Sequence, residues 1–353
     1  MIDRFDPADP PAADPPAAPL PGHRPAGIPA SRSRAALTLA VLCWLAAALP
    51  ALATPLNIAV ARSPLSLPLY VAQTEGYFTD EGLAPKISDC LGGHRCLQLM
   101  LDGAADIATA SDSPVMFRSF ERDDYVVIGT FATTSSDIKL VGRQSAGITL
   151  PEQLRGKKVG VVRGSSSQFF LDSYLLWHGI DPASVDQIGL QADEMTAAMR
   201  SGKVAAVVAW EPIAFDTIAA MKGDAAVLPN ADVYTMSFNL VAHKRLAGAR
   251  DAELVKLLRA VARADSFIQS HPLESQAILR QRLGVDQRFI DWVWPGLRFQ
   301  LGLDQSLVKT LESEARWAIR GGQVAGKTVP NYLRFLHAPP LREVDPNAVS
   351  LSR

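Results

Sequence analysis

Residues 158–179 read KVGVVRGSSSQFFLDSYLLWHG, and this stretch decides the fold class. The run at 158–162 is continuously apolar after its first residue, as in a strand whose two faces are both buried. A short polar turn follows, and then a helical pattern over 166–178 that Gly179 closes. A buried strand that leads through a short turn into a helix predicts a parallel sheet covered by helices.

The same strand-then-helix alternation extends over residues 56–245. Six short apolar or β-branched runs predict strands, namely LNIAV (56–60), DIATA (106–110), YVVIG (125–129), KVGVV (158–162), VDQIGL (185–190) and AAVVAW (205–210). After residue 245 strand signals fade, and helices are predicted at 251–270, 272–283, 286–294 and 304–320 because each pattern begins at Asp or Pro. The sequence therefore predicts an α/β protein with open, mostly parallel sheets flanked by helices.

Composition limits the classes of function. The chain has 353 residues, of which 48% are hydrophobic, and this is enough apolar material for one large or two medium domains. Its 35 Lys and Arg residues balance 36 Asp and Glu residues, giving a formal net charge of −1. This balance excludes the basic surface that a nucleic-acid partner would require. No cofactor motif and no metal-ligand spacing appears, so none is predicted.

The N-terminal region differs from the rest of the chain. Residues 1–34 hold nine of the 25 prolines and few large apolar side chains, so we expect this extension to be disordered. Arg32 and Arg34, the apolar run and the Ala51–Ala53 site follow the order of a secretory signal peptide at 35–53. We expect cleavage after Ala53 and export to the periplasm. An uncleaved membrane anchor is the alternative reading of this run.

Cys90 and Cys96 remain after removal of the signal peptide, and export places them in an oxidising compartment. The two glycines of the LGGHR spacer let the chain fold back, so we predict a disulfide. Two buried thiols, or a metal pair with His94, are the alternatives. One cysteine pair and one histidine are too few ligands for a structural zinc site.

Candidate binding residues follow the predicted strands, because open parallel sheets bind ligands outside the carboxyl ends of their strands. They are Arg62 and Ser63 after the first strand, His94 in the SDCLGGHRC loop, Ser111 and Asp112 after DIATA, Arg163, Ser165 and Ser166 after KVGVV, and Trp210 and Glu211 after AAVVA. The RGSSS turn offers hydroxyls and backbone N–H groups at a helix start, where the helix dipole favours an anion. An ordinary serine cap of the helix is the alternative interpretation.

Other candidates also carry two interpretations. Arg62 and Arg163 either face the ligand, which would favour a carboxylate, or lie in solvent or in ion pairs. Trp210 either packs on the ligand or completes a buried strand, and Glu211 either binds a ligand amine or favours a helix start. Asp112 is either a helix cap or a ligand acceptor.

Five segments together resemble a known family. They are LPLYVAQTEGYFTDEGL (67–83), LQLMLDGAADIATASDSP (97–114), GITLPEQLRGKKVGVVRGSSSQFFLDSYLLWHGID (147–181), MRSGKVAAVVAWEP (199–212) and PLREVDPNAV (340–349). They resemble the substrate-binding proteins of ABC importers for nitrate, taurine and alkanesulfonates, a group that includes binding proteins for thiamine-pyrimidine precursors. The Cys90–Cys96 loop departs from that pattern.

The resemblance implies the type II periplasmic binding protein fold, with two α/β lobes joined by crossover strands and a ligand in the cleft. Lobe one would comprise 54–141 and 239–353, and lobe two 142–238, with crossings at 138–142 and 238–242. It implies a monomeric, non-enzymatic receptor that delivers a small anion, such as a sulfonate, taurine or nitrate, to a permease and its cytosolic ATPase. An aromatic carboxylate or thiamine-pyrimidine precursor as ligand, or a dehydratase on the same fold, is the alternative.

Overall fold

The computed structural model describes residues 55–229 and 233–352. The predicted N-terminal extension at 1–34 and the predicted signal peptide at 35–53 lie outside the described residues. Among the helices of the described residues, none combines the length and the apolar character that crossing a membrane requires.

The larger of two sheets has seven strands, in the order β12-β11-β4-β10-β3-β1-β2. Its strands are β1 Asn57–Ala61, β2 Lys86–Cys90, β3 Ile107–Ser111, β4 Tyr125–Thr134, β10 Met236–His243, β11 Arg298–Asp304 and β12 Val349–Ser350. All five residues of β3 are buried, as its continuous small and apolar sequence predicts. This sheet and the helices packed on it are called the large lobe.

The second sheet has five strands, in the order β7-β6-β8-β5-β9. Its strands are β5 Lys139–Arg143, β6 Lys158–Val161, β7 Asp186–Gly189, β8 Ala206–Ala209 and β9 Ala225–Val227. The Leu190 side chain packs closely over Gly160 in β6, where a Cβ would lie 2.6 Å from Cδ1 of Leu190. This sheet and its helices are called the small lobe.

The predicted α/β two-lobed class is confirmed, but both sheets are mixed rather than mostly parallel. In the large lobe β10 runs antiparallel to both of its neighbours, β3 and β4. In the small lobe β5 runs antiparallel to both β8 and β9. The chain passes to the second sheet between Thr134 and Lys139, and it returns between Val227 and Met236. Strands that follow directly on such a passage enter the new sheet from the opposite direction.

The helices of the large lobe cover both faces of its sheet. They are α1 Leu67–Thr74, α2 Tyr77–Asp80, α3 Gly93–Leu101, α4 Asp112–Ser119, α8 Asp251–Ser270, α9 Pro272–Leu283, α10 Gln287–Val293, α11 Gln305–Arg320 and α12 Pro339–Val344. Those of the small lobe are α5 Ser166–Trp177, α6 Met195–Ser201 and α7 Ile213–Ala220. In α8, Leu254, Leu257, Leu258 and Val261 are buried at the spacing that a one-sided helix requires.

Two strands lie in the region where only helices were predicted. β11 pairs with β4 and β12 pairs with β11, so the C-terminal region completes the seven-stranded sheet. Half-exposed positions interrupt the apolar pattern of β11, and its partner lies far away in sequence. Neither feature is visible in a local pattern, so the sequence predicted the dominant helices after residue 245 but not these two strands.

Candidate ligand-binding site

A small pocket lies where the loops after β1, β2, β3, β6 and β8 meet the passage between the sheets. We call it the inner pocket, and it is lined by Ala61, Ser63, Leu65, Gly92, Gly93, His94, Ser111, Pro114, Asp137, Ile138, Ser165, Ser166, Trp210, Met236 and Phe238. The space open to the centres of water molecules is about 30 Å³. Both lobes and the passage contribute residues, so the pocket has walls from each lobe.

Three helices begin at the inner pocket. Helix α5 begins at Ser166, α3 begins at Gly93, and α4 begins at Asp112, directly after Ser111. The first N–H groups of a helix have no partner within their own helix, and the helix dipole places partial positive charge there. The start of α4 contributes little, because the Ser113 N–H is bonded to Oδ1 of Asp112 and Pro114 has no N–H. The starts of α3 and α5, one from each lobe, make the pocket suited to an anion.

Ser165 and Ser166 have different roles, although both line the pocket. The Ser165 hydroxyl donates to the Val162 carbonyl at 2.8 Å and accepts from the Ser167 N–H at 3.3 Å, so it caps α5. The Ser166 hydroxyl donates across the lobes to Oγ of Ser111 at 2.9 Å. Ser165 therefore caps the helix, as the alternative interpretation of the RGSSS turn predicted. Ser166 presents its hydroxyl between the lobes, and its contact with an anion stays a prediction.

Glycine at positions 92 and 93 allows the loop before α3 to lie against both lobes. Gly92 has φ of +86°, and a Cβ there would lie 2.8 Å from Cζ2 of Trp210. A Cβ on Gly93 would lie 2.9 Å from Cα of Ala110 in β3. Any larger residue would move the start of α3 away from the pocket.

The predicted disulfide is present between Cys90 and Cys96, with the two Cα atoms 5.6 Å apart. It ties the end of β2 to the first turn of α3 and so holds the intervening loop. In that loop the His94 ring packs edge-on against Trp210, with ring centres 5.7 Å apart. Burial, and then the charges of Arg95 and Arg118, lower the pKa of His94 to about 4, so this imidazole is neutral at pH 7.

We expect Cys90→Ala with Cys96→Ala to lower the free energy of unfolding by about 2 kcal/mol, because the disulfide restricts the unfolded chain. Urea unfolding of the double variant and of the oxidised parent measures the difference. The reduced parent is the matched control and should behave like the variant. Equal stability of all three samples would contradict the predicted role of the disulfide.

Two carboxyl groups lie together at the passage side of the pocket. Asp137 lines the pocket and is 5% exposed, and its Oδ1 has no hydrogen-bond partner. Burial raises its pKa to about 8, and the Glu211 carboxylate adds to the rise. Glu211 accepts from the Phe215 N–H at 3.0 Å and from Nε1 of Trp292 at 2.6 Å. Burial also raises the pKa of Glu211.

Several predicted site residues lie elsewhere. The Arg62 guanidinium donates to the Leu283 carbonyl at 2.9 Å, at the end of α9. Asp112 is fully buried and accepts from the Ser237 N–H at 2.9 Å and from the Tyr234 hydroxyl, so it joins α4 to β10. Neither residue lines the inner pocket. The predicted residues that do line it are Ser63, His94, Ser111, Ser165, Ser166 and Trp210. Glu211 lies next to Asp137, which lines the pocket.

A second, open cavity of about 670 Å³ adjoins the inner pocket at His94 and Pro114, and we call it the outer cleft. Its walls carry three arginines, Arg95, Arg118 and Arg163, and one carboxylate, Glu121, which pairs with Arg118 at 2.6 Å. The Arg163 guanidinium donates to the Gln187 carbonyl at 2.8 Å, so this residue faces the outer cleft and not the inner pocket. The outer cleft therefore offers a positively charged approach to the inner pocket.

Polar side chains join the two lobes around these cavities. Pairs that cross between the lobes are Arg95 with Gln191 at 2.7 Å, Gln168 with Gln323 at 2.8 Å, Asp172 with Trp317 at 2.9 Å, and Glu211 with Trp292 at 2.6 Å. Each pair would separate if the lobes moved apart, so these contacts stabilise the closed arrangement.

Sequence reasoning missed the pocket residues of the passage. Asp137 and Ile138 lie between β4 and β5, and Met236 and Phe238 lie at the start of β10. Candidates were predicted after strands, whereas Asp137 and Ile138 precede β5 and the other two residues begin β10. The polar run TTSSD at 133–137, directly before a crossing segment, was the one available signal for Asp137.

Comparison with known proteins identifies the family. The model of the family described as NMT1/THI5 like matches residues 63–275. The chain belongs to this family. A provisionally assigned aliphatic sulfonates-binding protein of Bacillus subtilis (strain 168) is 27% identical over 231 residues, 64% of this chain and 69% of that protein. The taurine-binding periplasmic protein of Escherichia coli (strain K12) is 24% identical over 181 residues, 51% of this chain and 55% of that protein.

Solved structures confirm the fold. The periplasmic aliphatic sulphonate binding protein SsuA from Escherichia coli superposes with a TM-score of 0.67 at 20% identity, covering 80% of this chain and 97% of that chain. The desulfurization enzyme DSZB superposes with a TM-score of 0.61 at 15% identity, covering 82% of this chain and 99% of that chain. The relatives with matching sequence bind solutes, while the fold also accommodates an enzyme.

Proposed function

We propose that this NMT1/THI5-like protein is an exported solute receptor that captures a small sulfonate in the inner pocket and delivers it to an ABC permease. The observation that carries this proposal is the convergence of two helix starts, those of α3 and α5, on one small pocket between the lobes. The sulfonate-binding relatives support the choice of anion. The periplasmic relatives support localisation to the periplasm. A monomeric state and delivery to the permease with its ATPase are further parts of this proposal.

The chemistry of the inner pocket matches a sulfonate head group. A sulfonate spreads one negative charge over three oxygens, and hydroxyls and backbone N–H groups from several directions can each donate to one oxygen. No arginine or lysine lines the inner pocket among the described residues. Binding would therefore depend on helix dipoles and hydrogen bonds in a place from which water is excluded, where each such contact is stronger than in water.

The two adjoining cavities suggest how different parts of the solute are placed. The inner pocket is small, and the outer cleft is far larger. The arginines of the outer cleft would attract the anion and raise the association rate at low salt. Lobe closure would then bring Ser111 and Ser166 together around the head group.

A thermal-shift screen of the protein comprising residues 54–353 tests this function. At one hundred times its dissociation constant, a ligand should add about 2.7 kcal/mol to the free energy of unfolding and raise the Tm. We expect at least one short alkanesulfonate or aminosulfonate to do so. Nitrate, aromatic carboxylates and aminopyrimidines serve as the comparison set. A Tm that rises only with members of that set would contradict the proposed solute class.

The fold shared with a desulfurization enzyme calls for a direct test of turnover. We propose binding without reaction, because both cysteines of the described residues are paired in the disulfide and neither Asp137 nor Glu211 is paired with a nucleophile in the pocket. Prolonged incubation with the sulfonate that binds should release no sulfite. Catalytic release of sulfite would show that the protein is an enzyme.

A further inference from the structure

The passage between the sheets brings an unpaired acceptor to the inner pocket. Asp137 is buried at 5% exposure, and its Oδ1 has no hydrogen-bond partner. Buried polar atoms in folded proteins nearly always have a partner, so an exception beside a binding pocket requires an explanation. Since Asp137 lines the pocket, the missing partner can come from the bound solute.

The surroundings of Asp137 favour a positively charged partner. Both oxygens of Glu211 already accept hydrogen bonds, and its carboxylate adds negative charge next to Asp137. The charge of Lys139 lowers the pKa of both carboxyl groups, but its ammonium donates to the Ser136 carbonyl and lies 5.2 Å from the ring centre of Trp292. His94, on another wall of the pocket, is neutral at pH 7. The carboxyl pair therefore has no salt bridge among the described residues.

We propose that the inner pocket binds a zwitterion, with Asp137 accepting a hydrogen bond from an ammonium group of the solute while the helix starts hold its anionic group. The two poles come from different elements: Asp137 enters from the passage after β4, whereas the donors lie at the starts of α3 and α5. This inference rests on the proposed function and narrows the solute to a short ω-aminosulfonate. The small volume of the pocket limits the spacer between the poles to a few carbons.

The charges near Asp137 imply that binding of a zwitterion releases protons. Without solute, burial and the Glu211 carboxylate hold the pKa of Asp137 near 8, so the carboxyl is largely protonated at pH 7. An ammonium at hydrogen-bond distance favours the ionised form and lowers that pKa. Binding of a zwitterion at pH 7 should therefore release up to about one proton, and an alkanesulfonate without an amine should release none.

Calorimetric titrations with 2-aminoethanesulfonate and ethanesulfonate test the inference. In the parent protein we expect the amine-bearing ligand to bind about 10- to 100-fold more tightly, the range expected for a hydrogen bond to a charged group. Asp137→Asn keeps the shape of the side chain but cannot ionise, so it should abolish this preference and the proton release. Asp123→Asn alters an exposed aspartate outside the pocket and is the matched control, which should retain both. Titration in two buffers of different ionisation enthalpy measures the protons released.

The possible results distinguish the zwitterion inference from the proposed sulfonate binding. Equal affinity of the parent protein for both ligands would overturn the zwitterion inference and leave sulfonate binding intact. A preference that survives in Asp137→Asn would also overturn it. Tighter binding of ethanesulfonate would show that Asp137 donates a proton to the anion instead of accepting from an amine. If neither ligand binds, the proposed function fails and the inference fails with it. Melting temperatures without ligand verify that each variant is folded.

Discussion

Ser166→Ala should weaken binding of a short sulfonate by about 10- to 100-fold and leave the Tm without ligand almost unchanged. The Ser166 hydroxyl lies in the inner pocket and reaches the Ser111 hydroxyl of the other lobe at 2.9 Å. A hydrogen bond to a charged group is worth about 1.5 to 3 kcal/mol, which corresponds to this range of affinities. Its loss affects the complex, because the helix keeps its cap at Ser165.

Ser165→Ala is the matched control, because it removes a hydroxyl one residue away. That hydroxyl caps α5 and donates to the Val162 carbonyl, so its loss should cost about 1 kcal/mol of stability. Calorimetry measures the affinity of both variants, and thermal unfolding without ligand measures their stability. Unchanged affinity in Ser166→Ala would reduce the RGSSS turn to a helix cap and remove it from the binding site.

Asp112→Ala should produce the largest loss of stability, at least about 3 kcal/mol, because several buried hydrogen bonds to one carboxylate disappear together. The carboxylate accepts from the N–H groups of Ser113 and Ser237, both at 2.9 Å, and from the Tyr234 hydroxyl. Without it these donors stay buried and unpaired. The network joins α4 to β10, the first strand of the large lobe after the chain leaves the small lobe. The variant should therefore also bind ligand with lower affinity.

Urea unfolding compares Asp112→Ala with Asp112→Asn and Asp123→Ala. The asparagine retains one acceptor oxygen and should recover part of the loss. Asp123 is exposed, and its replacement should change stability by less than about 0.5 kcal/mol. If Asp112→Ala were as stable as Asp123→Ala, the buried network would not contribute to the fold.

Much of the architecture could be predicted from local signals. The boundaries of α8 and α9 agree with the sequence patterns, because Asp251 and Pro272 mark their starts and Gly284 follows the end of α9. The disulfide followed from the compartment and a flexible spacer. The directions of β5 and β10 could not be predicted in this way, since they depend on how the chain passes between the sheets. The weak pattern of β11 became a strand only because β4 was available as a partner.

The candidate site was predicted only in part, because local sequence places the backbone of a residue better than its side chain. A residue's position after a strand predicts that its backbone lies near the pocket, and this held for Ser63, Ser111 and Ser166. It does not predict where a long side chain extends. Arg62 donates to the Leu283 carbonyl, 221 positions away in the chain, and Asp137 lies in the passage before β5. Long side chains and passage segments take their places from tertiary neighbours that no local pattern contains.

The central claim is that the inner pocket holds the anionic head group of a small solute. A crystal structure of residues 54–353 grown with a short alkanesulfonate or aminosulfonate tests it most directly. We predict that the sulfonate oxygens lie within hydrogen-bond distance of the Ser166 hydroxyl and of the N–H groups at the starts of α3 and α5. A sulfonate bound instead in the outer cleft, on Arg95, Arg118 and Arg163, would contradict the account.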